Sequence, residues 1–189
     1  MRLHTNKQGI RALGVAESFR RGMSNSVLGG VVMRGDLVID GLASGRTRVG
    51  GDDATASVAS LYRRLARNDV NILMISGCIL SLYNIVDPDE LSRWTRLPVI
   101  CLTYRETSGI EYSIRRRFPE DAGKKLLAYR RLGERRRLRL STGKSLYVRT
   151  AGVPFGQAEK VVDMFTLQGS VPEPVRVAKL LARTLSRRS

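Results

Sequence analysis

The order of the apolar segments along the chain limits its possible folds more than any other property does. Three short segments rich in β-forming residues follow one another, and later apolar segments alternate with amphipathic helical patterns. Consecutive strands joined by tight turns pair antiparallel, whereas strands separated by helices pair in parallel. The sequence therefore predicts an α/β fold with a mixed sheet, in which three antiparallel strands precede parallel βα units and helices cover both faces.

Each segment is bounded by turn or capping residues. The predicted strands are Ile10–Ala16, Ser26–Met33, Leu37–Leu42 with Arg46–Val49 as its extension, Val70–Ile75 and Leu97–Thr103, followed by a hairpin of Leu138–Leu140 and Leu146–Val148. The predicted helices span residues 54–66, 88–93, 108–117, 120–131, 155–167 and 174–185. Asp52 or Asp53 is expected to cap the first helix, and Asp87 the second.

No change in composition marks a second domain. We expect a single domain over residues 1–189, with residues 1–9 flexible and residues 105–149 forming a basic helical and hairpin insertion. The hydrophobic fraction of 42% excludes intrinsic disorder. No apolar run approaches the roughly 20 residues needed to cross a bilayer, and the polar first nine residues do not form a signal peptide. A cytoplasmic protein without a membrane partner is expected.

Cysteine and histidine usage excludes further classes of site. Cys78 and Cys101 both lie in apolar stretches, which favours buried reduced thiols; a disulfide between neighbouring strands is the alternative. Neither cysteine has a metal-ligand partner at zinc-site spacing. The lone histidine, His4, lies near the N-terminus, which excludes a Ser-His-Asp or Cys-His enzyme in the globule.

Charge indicates an anionic partner. Lys and Arg number 33 against 17 Asp and Glu, a net charge of +16, and residues 105–149 alone hold 14 Lys and Arg against 5 Asp and Glu. Arginine binds phosphate bidentately, so nucleic acid is the favoured partner. The alternatives are the ion-paired surface of a protein from a hot habitat and a docking face for an acidic protein. The residues expected to form a phosphate-binding face are Arg115, Arg116, Arg117, Lys124, Arg135, Arg136, Arg137 and Lys144; for any one of them, a solvated surface position is the alternative.

Carboxylates follow several predicted strands or begin the helices after them. Glu17 ends the first strand, Asp52 and Asp53 precede the first helix, and Asp87 precedes the second. Side chains at the carboxyl ends of parallel strands meet at one edge of a sheet, where Mg²⁺ binds through one or two carboxylates and a substrate phosphate. A structural role as helix caps is the alternative for each aspartate.

Several stretches resemble a known family. They are GIRALGVAESF at residues 9–19, VGGDDAT at 49–55, LPVICLTY at 97–104, the Arg-Leu-Gly-Glu segment at 131–134 and FTLQGSVPEPVRVAKLLA at 165–182. With them nearly the whole chain resembles an archaeal family of uncharacterised proteins related to endonuclease V, which has a ribonuclease H-like fold. The pattern Pro-Glu-Pro-x-Arg-x-Ala at residues 172–178 is also similar to the C-terminal part of endonuclease V.

The resemblance implies a site with altered residues. It places Glu17 and Asp53 at the positions of two metal-binding acids of endonuclease V, with Asp52 beside them as an auxiliary ligand or base. The third acid is replaced by Ser76, the lysine after the next strand by Tyr104, and a late histidine by Val153. The fold of an endonuclease is thus better supported than its chemistry.

These observations give two functional hypotheses. The first is a nucleic-acid-binding protein that acts as a Mg²⁺- or Mn²⁺-dependent endonuclease with a reduced active site, in which Glu17 and Asp53 hold the metal. The second is a binding module that retains the scaffold without turnover. Tyr104, Ser76 and Tyr83 are expected to contact substrate, with the two tyrosines stacking on an unpaired base; ordinary packing at strand ends is the alternative.

Overall fold

The computed structural model describes residues 9–20, 22–105 and 110–187. Its strands are β1 (Arg11–Ser18), β2 (Asn25–Arg34), β3 (Ile39–Arg48), β4 (Ile72–Ile75), β5 (Ile79–Leu80), β6 (Asn84–Ile85), β7 (Val99–Thr103), β8 (Arg136–Arg139) and β9 (Ser145–Ala151). Its helices are α1 (Ala54–Arg64), α2 (Pro88–Thr95), α3 (Ile110–Arg117), α4 (Ala122–Arg131), α5 (Phe155–Met164) and α6 (Glu173–Ser186).

Seven strands form one mixed sheet in the order β3-β2-β1-β4-β7-β9-β8. Strands β1, β4 and β7 are parallel to one another, while β2, β3, β9 and β8 pair antiparallel with their neighbours. The predicted mixed α/β sheet, with three antiparallel strands before the parallel units, is confirmed. The parallel strands carry near-continuous apolar runs because both of their faces are covered.

Helices cover both faces of the sheet, as predicted. On one face α1 and α2 pack against the strands through a cluster that includes Leu13, Val15, Val58, Leu61, Ile75 and Leu91. On the opposite face α5 and α6 pack through a cluster that includes Ile72, Ile100, Val161, Phe165, Val175 and Ala178. The strand period of two sends alternate side chains into the two clusters.

Helix α6 lies unusually close to β1 and β2. A Cβ atom at Gly14 would lie 2.2 Å from the carbonyl carbon of Pro174, and one at Gly29 would lie 2.4 Å from the carbonyl oxygen of Ala178. Glycine at these two positions therefore lets the helix backbone rest directly on the sheet. This contact fixes where α6 passes the carboxyl end of β1.

Some predicted strands and hairpins differ in extent or position from those in the structure. The third strand is continuous over Ile39–Arg48, so the predicted extension is part of one strand. The hairpin of β8 and β9 pairs with β7 and extends the main sheet, so α3 and α4 are the described helices of residues 105–149 that lie outside it. The short β5–β6 hairpin has no counterpart in the predictions.

The chain start, the two cysteines and membrane-spanning helices were also subjects of prediction. The predicted flexible start, except for residue 9, and the first two residues of the predicted helix 108–117 lie outside the described residues. Cys78 and Cys101 are both buried free thiols, as predicted. In the parts of the chain described, no helix has the length and apolar character to cross a membrane.

Candidate active site

The carboxyl ends of four strands meet at one edge of the sheet. Strands β1 and β3 both run antiparallel to β2, and β4 and β7 run parallel to β1, so all four end on the same side. The topology therefore places Glu17, Asp53, Ser76 and Tyr104 along this edge. The two acids and their two neighbours share a location because of strand direction, although they are far apart in sequence.

Glu17 is held by the segment that follows β4. Its Oε1 accepts a hydrogen bond from the backbone N–H of Ser81 at 3.0 Å, and its Oε2 accepts one from the Ser81 hydroxyl. The Ser81 hydroxyl is also within hydrogen-bond distance of the Ser26 hydroxyl on β2. Each carboxylate oxygen thus has one protein donor, and a carboxylate oxygen offers two lone pairs. Glu17 retains coordinating capacity.

Asp53 is surrounded by donors. Its Oδ1 accepts from the Asn84 amide at 2.7 Å, the Thr47 hydroxyl at 2.9 Å and the backbone N–H of Arg48 at 3.1 Å. Its Oδ2 accepts from the Ser57 hydroxyl at 3.2 Å. Burial raises the pKa of Asp53, but the hydrogen bonds from Asn84, Thr47 and Arg48 together outweigh it and leave the pKa lowered. The Asp53 carboxylate is therefore ionised, and protein donors occupy its hydrogen-bonding positions.

The predicted capping role of Asp53 is corrected by the structure. Asp53 stands at the N-cap position of α1, but its side chain makes no capping hydrogen bond. The backbone N–H of Ala54 instead donates to the Asn84 amide oxygen at 2.9 Å. Asn84 therefore joins β6 to both α1 and Asp53. The predicted cap at Asp87 is confirmed, since its side chain accepts from the N–H groups of Asp89 and Glu90.

The loop between β5 and β6 connects the two acids. Ser81, Leu82 and Tyr83 have consecutive φ angles of 28°, 55° and 64°, a left-handed backbone that residues with side chains rarely adopt. Such strain costs about 1–3 kcal/mol per residue and persists where surrounding contacts enforce it, often at functional sites. Here Ser81 binds Glu17 at one end of the loop and Asn84 binds Asp53 at the other.

Asp52 ties α4 to the same edge. Its carboxylate accepts from Lys124 at 2.6 Å and from Lys125 at 3.0 Å, and the hydrogen bond from Lys124 is the main cause of its lowered pKa. Lys125 is only 2% exposed; it also donates to the carbonyl of Gly51 at 2.9 Å and lies 4.8 Å from the ring centre of Phe118. These contacts hold α4 against the turn before α1.

Among the described acids at this end of the sheet, Glu17 is the one whose hydrogen bonds leave carboxylate lone pairs free for a divalent cation. Among residues 9–20, 22–105 and 110–187, no three His, Cys, Asp or Glu side chains cluster as a metal site would require. Asp53 would have to release protein donors to bind a cation, and Ser76 contributes a neutral hydroxyl. A single Mg²⁺ or Mn²⁺ completed by water and substrate oxygens fits these residues better than a pair of cations does.

A cavity of about 410 Å³ opens between the ends of β4 and β7. We call it the sheet-end pocket; it is lined by Ser76, Gly77, Cys78, Ile79, Tyr83, Leu102, Thr103, Tyr104, Arg105, Ile110, Tyr129, Arg135 and Arg149. Its volume lies in the range of about 300–1,000 Å³ that is typical of small-molecule sites. The lining combines aromatic rings, a few polar groups and three arginines, so it suits a flat ligand that carries negative charge nearby.

Tyr104 lines this pocket, but its hydroxyl oxygen is buried within the protein. It makes no hydrogen bond with any described residue, although Ser76 lies nearby. Burial raises the pKa of Tyr104 well above its ordinary value, an effect that Ser76 only partly offsets, so the hydroxyl keeps its proton. An unpaired buried hydroxyl costs about 1–3 kcal/mol. A ligand that pairs with it would recover that cost.

A second concave surface adjoins the pocket through Tyr83. This α3 groove has a volume of about 410 Å³ and is lined by Tyr83, Tyr112, Ser113, Arg116 and Arg117. Tyr112 is 68% exposed, while Tyr83 contacts Phe118 edge to face at 6.2 Å. The structure therefore brings Arg116 and Arg117 together with an exposed aromatic ring, an arrangement typical of single-strand binding.

The other predicted phosphate-binding residues are dispersed. Arg135 lines the sheet-end pocket and lies over Tyr147, whereas Arg136 stacks on Phe155 of α5. Because side chains alternate along β8, Arg136 lies on the other face of the sheet from its two neighbours. Arg137 donates a hydrogen bond to the Ser145 hydroxyl, and Lys124 binds Asp52. Arg115 and Lys144 are exposed and line neither concave surface.

Sequence reasoning missed four residues that the structure places at the site. Ser81 and Asn84 hold the two acids, and Arg149 lines the sheet-end pocket. Lys179 of α6 donates a hydrogen bond to the backbone carbonyl of Glu17. Burial lowers the pKa of Lys179, and the charge of Glu17 opposes that effect. The only signal for Lys179 was its place directly after the Pro-Glu-Pro-x-Arg-x-Ala pattern.

Solved structures place this architecture among ribonuclease H-like α/β proteins of the endonuclease V type. Endonuclease V of Ciona intestinalis, in complex with a 24mer DNA that contains an inosine followed by a ribo-adenosine, is similar with a TM-score of 0.63 at 12% identity, over 95% of this chain and 87% of that one. A protein of unknown function from Archaeoglobus fulgidus is more similar, with a TM-score of 0.79 at 27% identity, over 93% of this chain and 98% of that one.

Sequence comparison then identifies the family. Residues 8–186 match the family described as Endonuclease dU, and the chain belongs to it. A UPF0215 protein of Pyrobaculum calidifontis is 35% identical over 182 residues, which cover 94% of this chain and all of that protein. The predicted membership of an archaeal family related to endonuclease V is confirmed.

Proposed function

We propose that this protein is a nucleic-acid endonuclease that takes one unstacked base into the sheet-end pocket and cleaves the strand beside Glu17. The observation that carries the proposal is the pocket itself, which opens at the sheet edge where β1 ends near Glu17 and is lined by aromatic rings and three arginines. The description of the family as Endonuclease dU supports cleavage. The DNA bound by the Ciona protein, which shares the fold, supports nucleic acid as the partner.

The pocket residues have distinct proposed roles. Tyr83 and Tyr129 offer ring faces to a base, because base and aromatic rings stack with a gain of about 1–3 kcal/mol. The buried Tyr104 hydroxyl would be uncovered when the base enters and would then pair with a polar atom on the edge of the base. Arg135 and Arg149 offer guanidinium groups to the attached backbone. A base must leave the duplex stack to enter such a pocket, so single-stranded or locally unpaired substrate is favoured.

The α3 groove continues this surface. Its arginines Arg116 and Arg117 would bind backbone phosphates, and exposed Tyr112 would stack on a neighbouring base. Arg115 and Lys144 add sequence-independent attraction at longer range, since both are exposed and charged. Nucleic acid would thus run from α3 past Tyr83 into the sheet-end pocket.

Glu17 is the proposed centre of the chemistry. It would hold Mg²⁺ or Mn²⁺, with Asp53 as a second carboxylate if its protein donors are released. Held by Glu17, such a cation would supply Lewis-acid activation of a phosphoryl oxygen and of a water molecule. The chain's own contribution is to hold the Glu17 carboxylate in place through Ser81 and to bring the substrate backbone to it. Asp52 receives no chemical role, because two lysines neutralise it.

The second candidate function is binding without cleavage. It is favoured by the saturation of Asp53 and by the neutral Ser76 at the position of a third acid. On this alternative the same pocket and groove bind nucleic acid, and the acids only stabilise the fold.

A paired assay separates the two candidates. Labelled single- and double-stranded DNA and RNA, with one uracil or one inosine at a central position or an ordinary base there, would be mixed with the protein and Mg²⁺, Mn²⁺ or EDTA. The variants are Glu17→Gln and, as a matched control on the surface of α5, Glu159→Gln. Binding and strand cleavage are measured on the same samples.

We expect metal-dependent cleavage of the uracil strand that Glu17→Gln lowers at least a hundredfold while binding is kept, in line with the loss of an electrostatic catalytic group. Glu159→Gln should behave as the unmodified protein. Binding without cleavage under every metal condition would support the binding module. Absence of binding to all of these nucleic acids would contradict both.

A further inference from the structure

Lys179 is a half-buried cation at the carboxyl end of β1 that the fold alone does not explain. The glycines at positions 14 and 29 bring α6 onto the sheet, and α6 thereby carries Lys179 to Glu17. Its ammonium group donates to the Glu17 carbonyl and forms no salt bridge within 4.0 Å with any carboxylate of the described chain. An ammonium has three N–H donors, so two remain for another partner.

The direction of the Glu17 carbonyl locates this ammonium more closely. Carbonyl groups alternate in direction along a strand, so the carbonyls of Val15 and Glu17 point to the same side of β1. The Val15 carbonyl accepts from the backbone N–H of Ser76 at 2.9 Å. The Glu17 carbonyl therefore points over the end of β4, where Ser76 and Gly77 leave the sheet and begin the wall of the sheet-end pocket.

Lys179 thus lies beside Glu17, on the side of β1 that faces the end of β4, where the lining of the sheet-end pocket begins. We propose that Lys179 binds the phosphate group attached to the nucleotide whose base occupies this pocket. This inference rests on the proposed function and adds a residue from α6 to its site. A lysine is suited to the role because it acts as a compact cation with several donors.

The same cation has a chemical consequence. Ser76 and Tyr104 supply no positive charge at this edge, whereas Lys179 brings an ammonium group to the backbone of Glu17. A phosphate bound to it would lie next to the Glu17 carboxylate, where cleavage is proposed. Lys179 would then offset negative charge that develops on the phosphoryl group.

The alternative is that Lys179 only satisfies the last free carbonyl of β1. Substitutions separate the two roles. Lys179→Met keeps the apolar stem and removes the charge; Lys179→Gln keeps a hydrogen-bond donor without the charge; Lys179→Arg keeps both. Lys160→Met, at an exposed position on α5, is the control for a lost surface charge. Equilibrium binding of the single-stranded uracil oligonucleotide is measured over a range of salt concentrations, and thermal unfolding is measured on each variant.

We expect Lys179→Met and Lys179→Gln to weaken binding about tenfold at low salt. Their slopes of log affinity against log salt should fall by about 0.7, the value for one single-strand phosphate contact. Lys179→Arg and Lys160→Met should keep the original slope. If Lys179→Gln binds with the original affinity and slope, Lys179 is only a structural donor and the inference is overturned, even if Lys179→Met fails to fold. If the unmodified protein binds no nucleic acid, the proposed function itself fails.

Discussion

At the residue scale, the two acids of the site are held by opposite means. Glu17 has one donor residue and free lone pairs, whereas Asp53 is enclosed by an amide, two hydroxyls and a backbone N–H. The difference follows from position, since Glu17 ends a strand and Asp53 sits in a turn beside α1. Asn84 is the residue on which this turn depends most, because it serves both Asp53 and the first N–H of α1.

Substitution Asn84→Ala should destabilise the fold by about 1–3 kcal/mol at neutral pH, because it removes one donor from the ionised Asp53 and leaves the Ala54 N–H without its partner. The folded pKa of Asp53 lies below its ordinary value of 3.8, so the stabilisation is present above that pH and is lost as pH falls through the folded pKa. Urea unfolding should therefore show a gap between the two proteins that narrows below about pH 4. Exposed Asn68→Ala should show no gap at either pH; a gap for Asn84→Ala that is unchanged in acid would contradict this assignment.

Substitution Tyr104→Phe tests the unpaired hydroxyl. Because that hydroxyl has no described partner, its removal should leave stability unchanged or raise it by up to about 1 kcal/mol. Affinity for the uracil oligonucleotide should fall, because the base loses a hydrogen-bond partner. Tyr62→Phe is the control, since its hydroxyl bonds to the Arg67 carbonyl on the far side of α1. Equal binding by Tyr104→Phe and the unmodified protein would exclude a contact between this hydroxyl and the ligand.

At the scale of elements, the close approach of α6 to β1 is the contact that brings Lys179 to Glu17. Substitution Gly14→Ala would place a methyl group 2.2 Å from the Pro174 backbone, so the helix must move. Overpacking of this kind costs about 1–3 kcal/mol. Thermal unfolding should show the loss, and nucleic-acid affinity should fall because Lys179 moves with α6.

The matched control for this substitution is Gly123→Ala in α4. No atom lies within 4 Å of the added Cβ, and alanine favours helix over glycine by up to about 1 kcal/mol. We expect equal or higher stability and unchanged affinity. If Gly14→Ala unfolds at the same temperature as the unmodified protein, the backbone contact between α6 and β1 does not limit the packing.

The elements of the main sheet were predictable because their patterns are local. Alternation, apolar runs and the Asp87-Pro88 start of α2 each follow from a few adjacent residues. The β5–β6 hairpin was not predictable, because its loop of Ser81, Leu82 and Tyr83 adopts a left-handed backbone against the preference of all three residues. That conformation depends on long-range bonds to Glu17 and Asp53, which the sequence does not display.

At the scale of the whole molecule, the net positive charge and the fold both favour a nucleic-acid partner, but the basic residues are spread over separate surfaces. The basic segment of residues 105–149 predicted a single phosphate-binding face. The structure divides these residues, since Arg116 and Arg117 line the α3 groove, Arg135 lines the sheet-end pocket and Arg136 stacks on the opposite face. A run of arginines shows total charge, but strand alternation and helix position decide where each one points.

The sequence predicts which end of the sheet holds the candidate site, but it does not predict all of the residues that contact Glu17 and Asp53 there. Strand order placed Glu17 and Asp53 at one end of the sheet, as the carboxyl ends of parallel strands require. Lys179 comes from the far end of the sequence, and only the packing of α6 brings it to Glu17. The hydrogen bonds that saturate Asp53 likewise come from three separate elements.

The central claim is that one base of the substrate occupies the sheet-end pocket. Photocrosslinking tests it directly: a single-stranded oligonucleotide with one 5-iodo-deoxyuridine is bound, irradiated and digested, and the attached peptide is identified by mass spectrometry. We expect attachment to Tyr104 or Tyr129, which line the pocket and not the α3 groove, and competition by an unlabelled uracil oligonucleotide. Attachment confined to Tyr112 or to residues outside both concave surfaces would contradict it.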